Sequence, residues 1–169
     1  RKGYRDGGRG LLTWRFDALV RTACEILARD GGEEKAAADF GLALHAIGED
    51  AIDQALDAAQ ELHRIGTPPP GGIRIEHAQL ITHEQACRAR DLGIVLSMQP
   101  NFTSDSVMYA DRLDASQLAA NNPFRMLMDR AGFVPGEDLV FGSDGMPHGA
   151  AYSFQWSLFP PYPGQRLTV

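Results

Sequence analysis

The sequence has little cysteine, no long apolar run and no concentration of positive charge. Only two cysteines, Cys24 and Cys87, occur among 169 residues, and they lack the close spacing of zinc-binding or redox motifs. No apolar stretch approaches the roughly 20 residues of a membrane-spanning helix. The 16 basic and 22 acidic residues give a net charge of −6, and the basic residues are scattered. We therefore expect a cytoplasmic protein with reduced thiols that binds neither nucleic acid nor a membrane.

What the sequence does contain is an alternation of short apolar runs with amphipathic segments. The apolar runs predict strands over 40–45, 73–79, 94–99 and 139–143, and helical spacing predicts helices over 14–29, 50–64 and 82–92. Thr82 and Gln85 form a capping box, and Asn122 and Pro123 are predicted to open a further helix as N-cap and first residue. Strand and helix alternate with a period of roughly 25 to 45 residues, which predicts an α/β fold with a parallel sheet.

Two features of this alternation leave alternatives open. A doubly wound sheet remains possible, although no glycine-rich phosphate-binding fingerprint follows any strand. The segment 101–121 shows no strong periodicity, and a connection of that length in a compact domain is usually a lid or a binding loop.

Polar side chains stand at the ends of three predicted strands. His45 ends the first, His77 lies near the end of the second, and Asp144 follows the fourth. An α/β barrel keeps its chemistry at these strand ends. Imidazole and carboxylate are the usual ligands of zinc, and a bound divalent ion lowers the pKa of its water from about 15.7 to about 7. These residue types are sufficient for metal-assisted hydrolysis.

Each of these residues also has a purely structural interpretation. A histidine at a strand end can be a hydrogen-bonded structural residue, and Asp144 can cap the turn that follows. Glu76 precedes His77, so strand alternation directs it to the opposite face, where an ion-pair role is expected. The helical residues His63 and His83 are expected at the surface.

Four ordered runs resemble the second half of amidohydrolase family 3. That family is a branch of the metal-dependent amidohydrolase superfamily and includes N-substituted formamide deformylases and relatives of N-acyl amino-acid hydrolases. The runs that carry the resemblance are Leu44-His45-Ala46-Ile47-Gly48, Arg74-Ile75-Glu76-His77-Ala78-Gln79, Ser97-Met98-Gln99-Pro100 and Phe141-Gly142-Ser143-Asp144.

The resemblance implies a (β/α)8 barrel with His45 on strand five, His77 on strand six and Asp144 on strand eight. It implies that the two histidines bind a divalent metal, expected to be zinc as one or two ions. Asp144 would be both a ligand and the general base for the metal-activated water. The implied reaction is hydrolysis of the carbon–nitrogen bond of a non-peptide amide or formamide.

The substrate is accordingly expected to be a small amide-type molecule. From their positions, Gln99, Asn101 and His148 are expected to contact it, and an apolar character of the pocket is expected from Met98, Phe102 and Tyr109.

The family's His-x-His of strand one and bridging acid of strand four are absent from residues 1–169. We therefore expect this chain to form a partial barrel domain, the C-terminal half of a barrel from a longer polypeptide. A second hypothesis is a catalytically incomplete half-barrel that acts only with the missing N-terminal half or with a second copy of itself. A third is a different barrel enzyme, such as a lyase, that keeps the histidines without hydrolysis.

Overall fold

The computed structural model describes residues 41–66, 68–145 and 149–167. The predicted helix over 14–29, Cys24 and His148 lie outside these ranges. Strands and helices alternate within them. The strands are β1 (Leu42–Ala46), β2 (Ile73–His77), β3 (Val95–Met98) and β4 (Leu139–Phe141). The helices are α1 (Glu49–Arg64), α2 (His83–Asp91), α3 (Asp105–Met108), α4 (Ala115–Ala120), α5 (Phe124–Asp129) and α6 (Ala150–Leu158), with 3-10 turns at Pro100–Ser104 and Pro163–Gln165.

The four strands form one parallel sheet in the order β1-β2-β3-β4. Leu42 is paired with Ile73, Arg74 with Val95, and Leu96 with Leu139. Each strand therefore lies beside its neighbour in the chain, and all four carboxyl ends meet at one edge. This confirms the predicted α/β fold and is consistent with part of a (β/α)8 barrel.

The core lies between the sheet and the helices that connect its strands. Alternate residues of the strands point into it and are fully buried, as Ile75, Leu96 and Leu139 show. On α1 the apolar side chains recur every three or four residues. Ile52, Leu56 and Leu62 are among them, and they are buried in the same core as the strand residues. Burial of each such side chain contributes about 1.5–3 kcal/mol, so this packing fixes the sheet that carries the strand ends.

The beginning of α2 follows the prediction. The Thr82 hydroxyl accepts from the Gln85 backbone at 3.2 Å, and the Gln85 side chain accepts from the Thr82 backbone at 3.1 Å. Gln85 Nε2 also donates to the Glu49 carbonyl oxygen at 2.9 Å, at the first residue of α1. The capping box therefore ties the starts of two successive helices to each other, next to the carboxyl edge of the sheet.

The segment 101–121 is more regular than its sequence indicates. It contains a 3-10 turn and the short helices α3 and α4. Asp114 caps α4 by accepting from the Ser116 and Gln117 backbones, each at 2.9 Å. Helices of four and six residues are too short to show an apolar period, so no pattern in the sequence predicts them.

The predicted start of the following helix is wrong. Helix α5 begins at Phe124 with Pro123 at the N-cap position, and Asn122 is left-handed with a φ of 49°. The buried Asn122 amide donates to the Gln99 carbonyl oxygen at 3.0 Å and to Thr103 Oγ1 at 3.1 Å instead of capping the helix. A buried amide is stabilised by such partners, and these two bonds hold the segment that follows β3.

The C-terminal segment from Gly149 onward, the aromatic tail, is rich in aromatic residues and contains α6, which the sequence pattern did not predict. Helix α6 packs against the 3-10 turn at Pro100–Ser104 and carries the exposed side chain of Phe154. Within the described ranges, no helix combines the length and the apolar character that spanning a membrane requires.

Candidate functional site

The imidazole rings of His45 and His77 lie against each other at the carboxyl ends of β1 and β2. Their centroids are 4.4 Å apart and the ring planes are inclined by 75°. Two of the three predicted metal-binding residues are therefore brought together, on adjacent parallel strands.

The contact between the two rings depends on the backbone at the end of β2. His45 is paired in register with Glu76, and Ala46 with His77. Since registered partners in a parallel sheet project from the same face, strand alternation alone would place the His45 and His77 side chains on opposite faces. His77, however, has a φ of 73° and Ala78 a φ of 46°. The extended conformation of β2 therefore ends at His77. The left-handed turn occurs where the His77 ring lies beside the His45 ring and not on the opposite face of the sheet.

His77 is buried, whereas His45 is exposed to solvent. Among the described residues, nothing forms a hydrogen bond with the buried Nδ1 of His77. A buried polar atom without a partner costs about 1–3 kcal/mol, so the geometry favours a ligand for this nitrogen. The Phe102 ring covers His77 from one side, with 5.8 Å between ring centroids and 24° between planes. The pair of imidazoles suits a divalent metal, for which neutral imidazole is the commonest ligand.

Asp144, the third predicted ligand, lies three residues after β4 and is exposed. Its backbone is also left-handed, with a φ of 50°. Asn101 Nδ2 donates to the carbonyl oxygen of the preceding Ser143 at 3.0 Å and so connects the turn after β4 to the segment after β3. Over the residues that the structure describes, no three His, Cys, Asp or Glu side chains converge on one metal position. The assignment of Asp144 as ligand and base stays a prediction.

Two of the three residues expected to contact substrate lie in the described part of the chain. Gln99 and Asn101 are both buried, and Gln99 Nε2 donates to the Ser97 carbonyl oxygen at 3.2 Å. His148 is outside the described residues. The substrate roles of all three stay predictions.

A cavity of about 290 Å³ is lined in part by residues that follow β1 and β2. It is lined by Ile47, Gln79, Leu80, Asp105, Tyr109, Arg112 and Leu113. The first three follow β1 and β2 directly, and the others come from the segment after β3. Tyr109 thus lines a cavity, whereas Met98 is buried in the core, and the expected contribution of these residues to a substrate pocket stays a prediction.

Asp105 is the acidic group of this cavity. Burial raises the pKa of its carboxyl group, and the hydrogen bond from the Gln79 side chain lowers it. Gln79 Nε2 donates to Asp105 Oδ2 at 2.8 Å and to the Phe102 carbonyl oxygen at 3.5 Å. Sequence reasoning did not select Gln79 or Asp105. The one feature of the sequence that points to this pair is the position of Gln79, two residues after His77.

Glu76, His63 and His83 are residues for which the sequence predicts an ion-pair or surface position. Glu76 pairs with Arg74 at 2.5 Å, the ion-pair role that its position before His77 predicted. His63 is exposed on α1, and His83 is half-buried on α2 with its Nε2 3.7 Å from Cys87 Sγ. Cys87 is free and half-buried.

Comparisons with known proteins identify a matching family and two similar solved structures. A family model described as "Amidohydrolase family" matches residues 33–156. The chain is similar to the crystal structure of an uncharacterized metal-dependent hydrolase from Pyrococcus horikoshii OT3, with 28% identity, a TM-score of 0.61, and coverage of 85% of this chain and 26% of that one. It is also similar to an uncharacterized metal-dependent hydrolase from Pyrococcus furiosus, with 26% identity, a TM-score of 0.60, and coverage of 76% and 26%.

No curated protein matches the chain. The chain spans about a quarter of the length of these two solved structures, with 26% of each covered.

Proposed function

Because this chain belongs to the amidohydrolase family, we propose that it forms part of a metal-dependent hydrolase that cleaves carbon–nitrogen bonds of non-peptide amides. Within this class of amides, we propose N-substituted formamides as the substrates. The observation that carries the proposal is the pair of imidazoles at the ends of β1 and β2, with 4.4 Å between ring centroids and a buried His77 Nδ1 that no described residue satisfies.

His45 and His77 would hold the divalent ion, for which we propose zinc. Such an ion, when bound, supplies Lewis-acid polarisation and lowers the pKa of water. Asp144 would complete the ligand set and take the proton of the attacking water as general base. Its place on the exposed turn after β4 leaves its carboxylate open to solvent, and the bond from Asn101 to the Ser143 carbonyl oxygen holds that turn.

The cavity lined by residues that follow β1 and β2 supports a small substrate with an apolar group. Its volume of about 290 Å³ lies just below the range of about 300–1,000 Å³ that is typical of small-molecule sites. Ile47, Leu80, Tyr109 and Leu113 provide apolar walls. We further propose that Gln99, Asn101 and His148 contact the substrate.

A second candidate function is that of an incomplete half-barrel, active only when further strands complete it. In the described part of the chain, β1 pairs only with β2 and β4 only with β3. The chain also spans 26% of each matched structure. The completing partner would be an N-terminal half of the barrel or a second copy of this chain.

The metal site is tested by elemental analysis of the purified chain after exposure to zinc and removal of unbound ion. Wild type is expected to retain zinc, and His45→Ala and His77→Ala are expected to lose it. His63→Ala is the matched control, because it removes an exposed imidazole on α1 and should leave the zinc content unchanged. Zinc retention that is equal in all four proteins would contradict the assignment.

Hydrolysis is tested by release of amine from N-substituted formamides and simple amides. Loss of a general base commonly lowers the rate by about 10²–10⁴-fold, and this is the decrease expected for Asp144→Ala, with His63→Ala near wild type. A chain that binds zinc but hydrolyses amides only when an N-terminal barrel half is added supports the second candidate instead.

A further inference from the structure

Three buried polar residues, Ser106 and Asn121 in the segment that follows β3 and Gln165 near the end of the described chain, hydrogen-bond to one another. We refer to them as the Gln165 cluster. Gln165 Nε2 donates to Ser106 Oγ at 2.7 Å and to the Asn121 carbonyl oxygen at 2.8 Å. Asn121 Nδ2 donates to the same Ser106 Oγ at 2.8 Å. Gln165 and Asn121 are fully buried, so water cannot readily replace these bonds.

The cluster joins parts of the chain that are far apart in sequence. Gln165 belongs to the 3-10 turn Pro163–Gln165, which follows α6, and its partners lie in α3 and directly after α4. The Gln165 amide is held in place on its other side, because its Oε1 accepts from the Tyr162 backbone at 3.2 Å. The Leu167 backbone donates to the Ser157 carbonyl oxygen at 3.0 Å and so fixes this turn to α6.

The cluster is connected to the histidine pair through Phe102. Asn121 Nδ2 donates to the Phe102 carbonyl oxygen at 3.2 Å, and Gln79 Nε2 approaches the same oxygen at 3.5 Å. The ring of Phe102 is the group that stacks on His77, with centroids 5.8 Å apart. A continuous path of contacts therefore runs from Gln165 through Asn121 and Phe102 to His77.

We propose that Gln165 is a positioning residue of the site, which holds the Phe102 ring against His77 through Asn121. The inference rests on the proposed role of His77 as a metal ligand. An amide suits this position because its two N–H groups face the buried oxygens of Ser106 and Asn121. Leucine has a similar size but no donor, and would remove the bonds from Gln165 to the Asn121 carbonyl oxygen and to Ser106 Oγ, which would keep only its bond from Asn121 Nδ2 as an acceptor.

The test uses Gln165→Leu, with Gln155→Leu as the matched control because Gln155 is exposed on α6. Phe102→Leu provides the reference for loss of the ring. The first readout is the NMR signal of the His77 ring in metal-free protein, identified by its disappearance in His77→Asn. The second is zinc affinity, measured with the ion alone.

In Gln165→Leu, the His77 signal is expected to move in the direction that Phe102→Leu moves it, and zinc affinity is expected to fall by about 10-fold, as for other supporting residues around metal ligands. Gln155→Leu should change neither. If Gln165→Leu does not fold, Ser106→Ala removes the shared hydroxyl with a smaller change in volume and should shift the same signal.

A His77 signal that stays at its wild-type position in the folded Gln165→Leu or Ser106→Ala variant would overturn the proposal, as would a signal that Phe102→Leu leaves unchanged. Failure of the proposed function is distinguishable, because wild type would then bind no zinc while the metal-free NMR readout still reports on Phe102.

Discussion

At the scale of single residues, the backbone at the end of β2 decides where the His77 ring lies. His77 and Ala78 adopt successive left-handed conformations, with φ of 73° and 46°. Each such residue other than glycine costs on the order of 1–3 kcal/mol, and conformations of this kind concentrate at functional sites. The strained turn brings the His77 ring to His45 and is repeated at Asp144, with a φ of 50°, after β4.

Asp105 carries a prediction at the same scale. Burial raises the pKa of its carboxyl group, so the folded state binds protons more tightly than the unfolded state does. As pH rises from the unfolded value of about 3.9 through the folded value, the carboxyl must ionise in a partly desolvated place. The free energy of unfolding should therefore fall across this window because of Asp105.

We expect Asp105→Asn to remove that decrease. The asparagine oxygen can still accept the bond from Gln79 Nε2, which is 2.8 Å long in wild type, but carries no charge. The variant should gain stability relative to wild type as pH rises from about 4, and the difference should level off once pH exceeds the raised pKa of the folded state. Thermal unfolding as a function of pH measures this, with Asp111→Asn as control at an exposed acid of the same segment. Equal pH profiles for wild type and Asp105→Asn would refute the prediction.

At the scale of elements, the start of α2 is held by side chains that the sequence already identified. Thr82 and Gln85 satisfy each other's backbone N–H groups, and Gln85 also reaches the first residue of α1 through the Glu49 carbonyl oxygen at 2.9 Å. The cap therefore contributes to packing between helices as well as to one helix.

We expect Thr82→Ala to lower the free energy of unfolding by about 1 kcal/mol, the usual cost of losing an N-cap. Thr82→Ser keeps the hydroxyl and should lie close to wild type. Urea denaturation of the three proteins provides the measurement. A Thr82→Ser variant as unstable as Thr82→Ala would show that the methyl group, and not the cap, is responsible.

At the scale of the whole molecule, the sheet ends at β1 on one side and at β4 on the other within the described residues. An open strand edge presents unpaired N–H and C=O groups that can pair with another strand. The face of β1 that carries Ala43 and His45 is exposed to solvent as well. Both features favour association with further strands, either from an N-terminal barrel half or from a second copy.

We expect the chain alone to self-associate with increasing concentration, and Ala43→Lys on β1 to weaken this association because a lysine on an edge strand opposes strand pairing. Ala51→Lys is the matched control, since Ala51 is exposed on α1 and the same charge is introduced away from the edge. Sedimentation velocity over a range of concentrations distinguishes the two. A wild-type chain that stays monomeric at every concentration would argue against an available edge.

The order of strands and helices within the described residues could be predicted from the sequence, because apolar periodicity and capping residues are local signals. Leu42–Ala46, Ile73–His77 and Val95–Met98 were predicted to within about two residues where described. Helices α3, α4 and α6 could not be predicted. The first two are too short to show a period, and α6 occupies an aromatic tail in which no single apolar face is distinguished.

The sequence by itself determined which residues stand at the carboxyl ends of the strands, since strand boundaries and the order of the motifs follow from local sequence patterns. The tertiary structure decided which of them meet. It brought His45 and His77 together at a left-handed turn, a conformation that the residue types histidine and alanine do not predict. It also placed the Phe102 ring on His77, held through Asn121 and the distant Gln165. Hydrogen bonds between buried groups 44 residues apart arise only from packing, and no local pattern in the sequence encodes them.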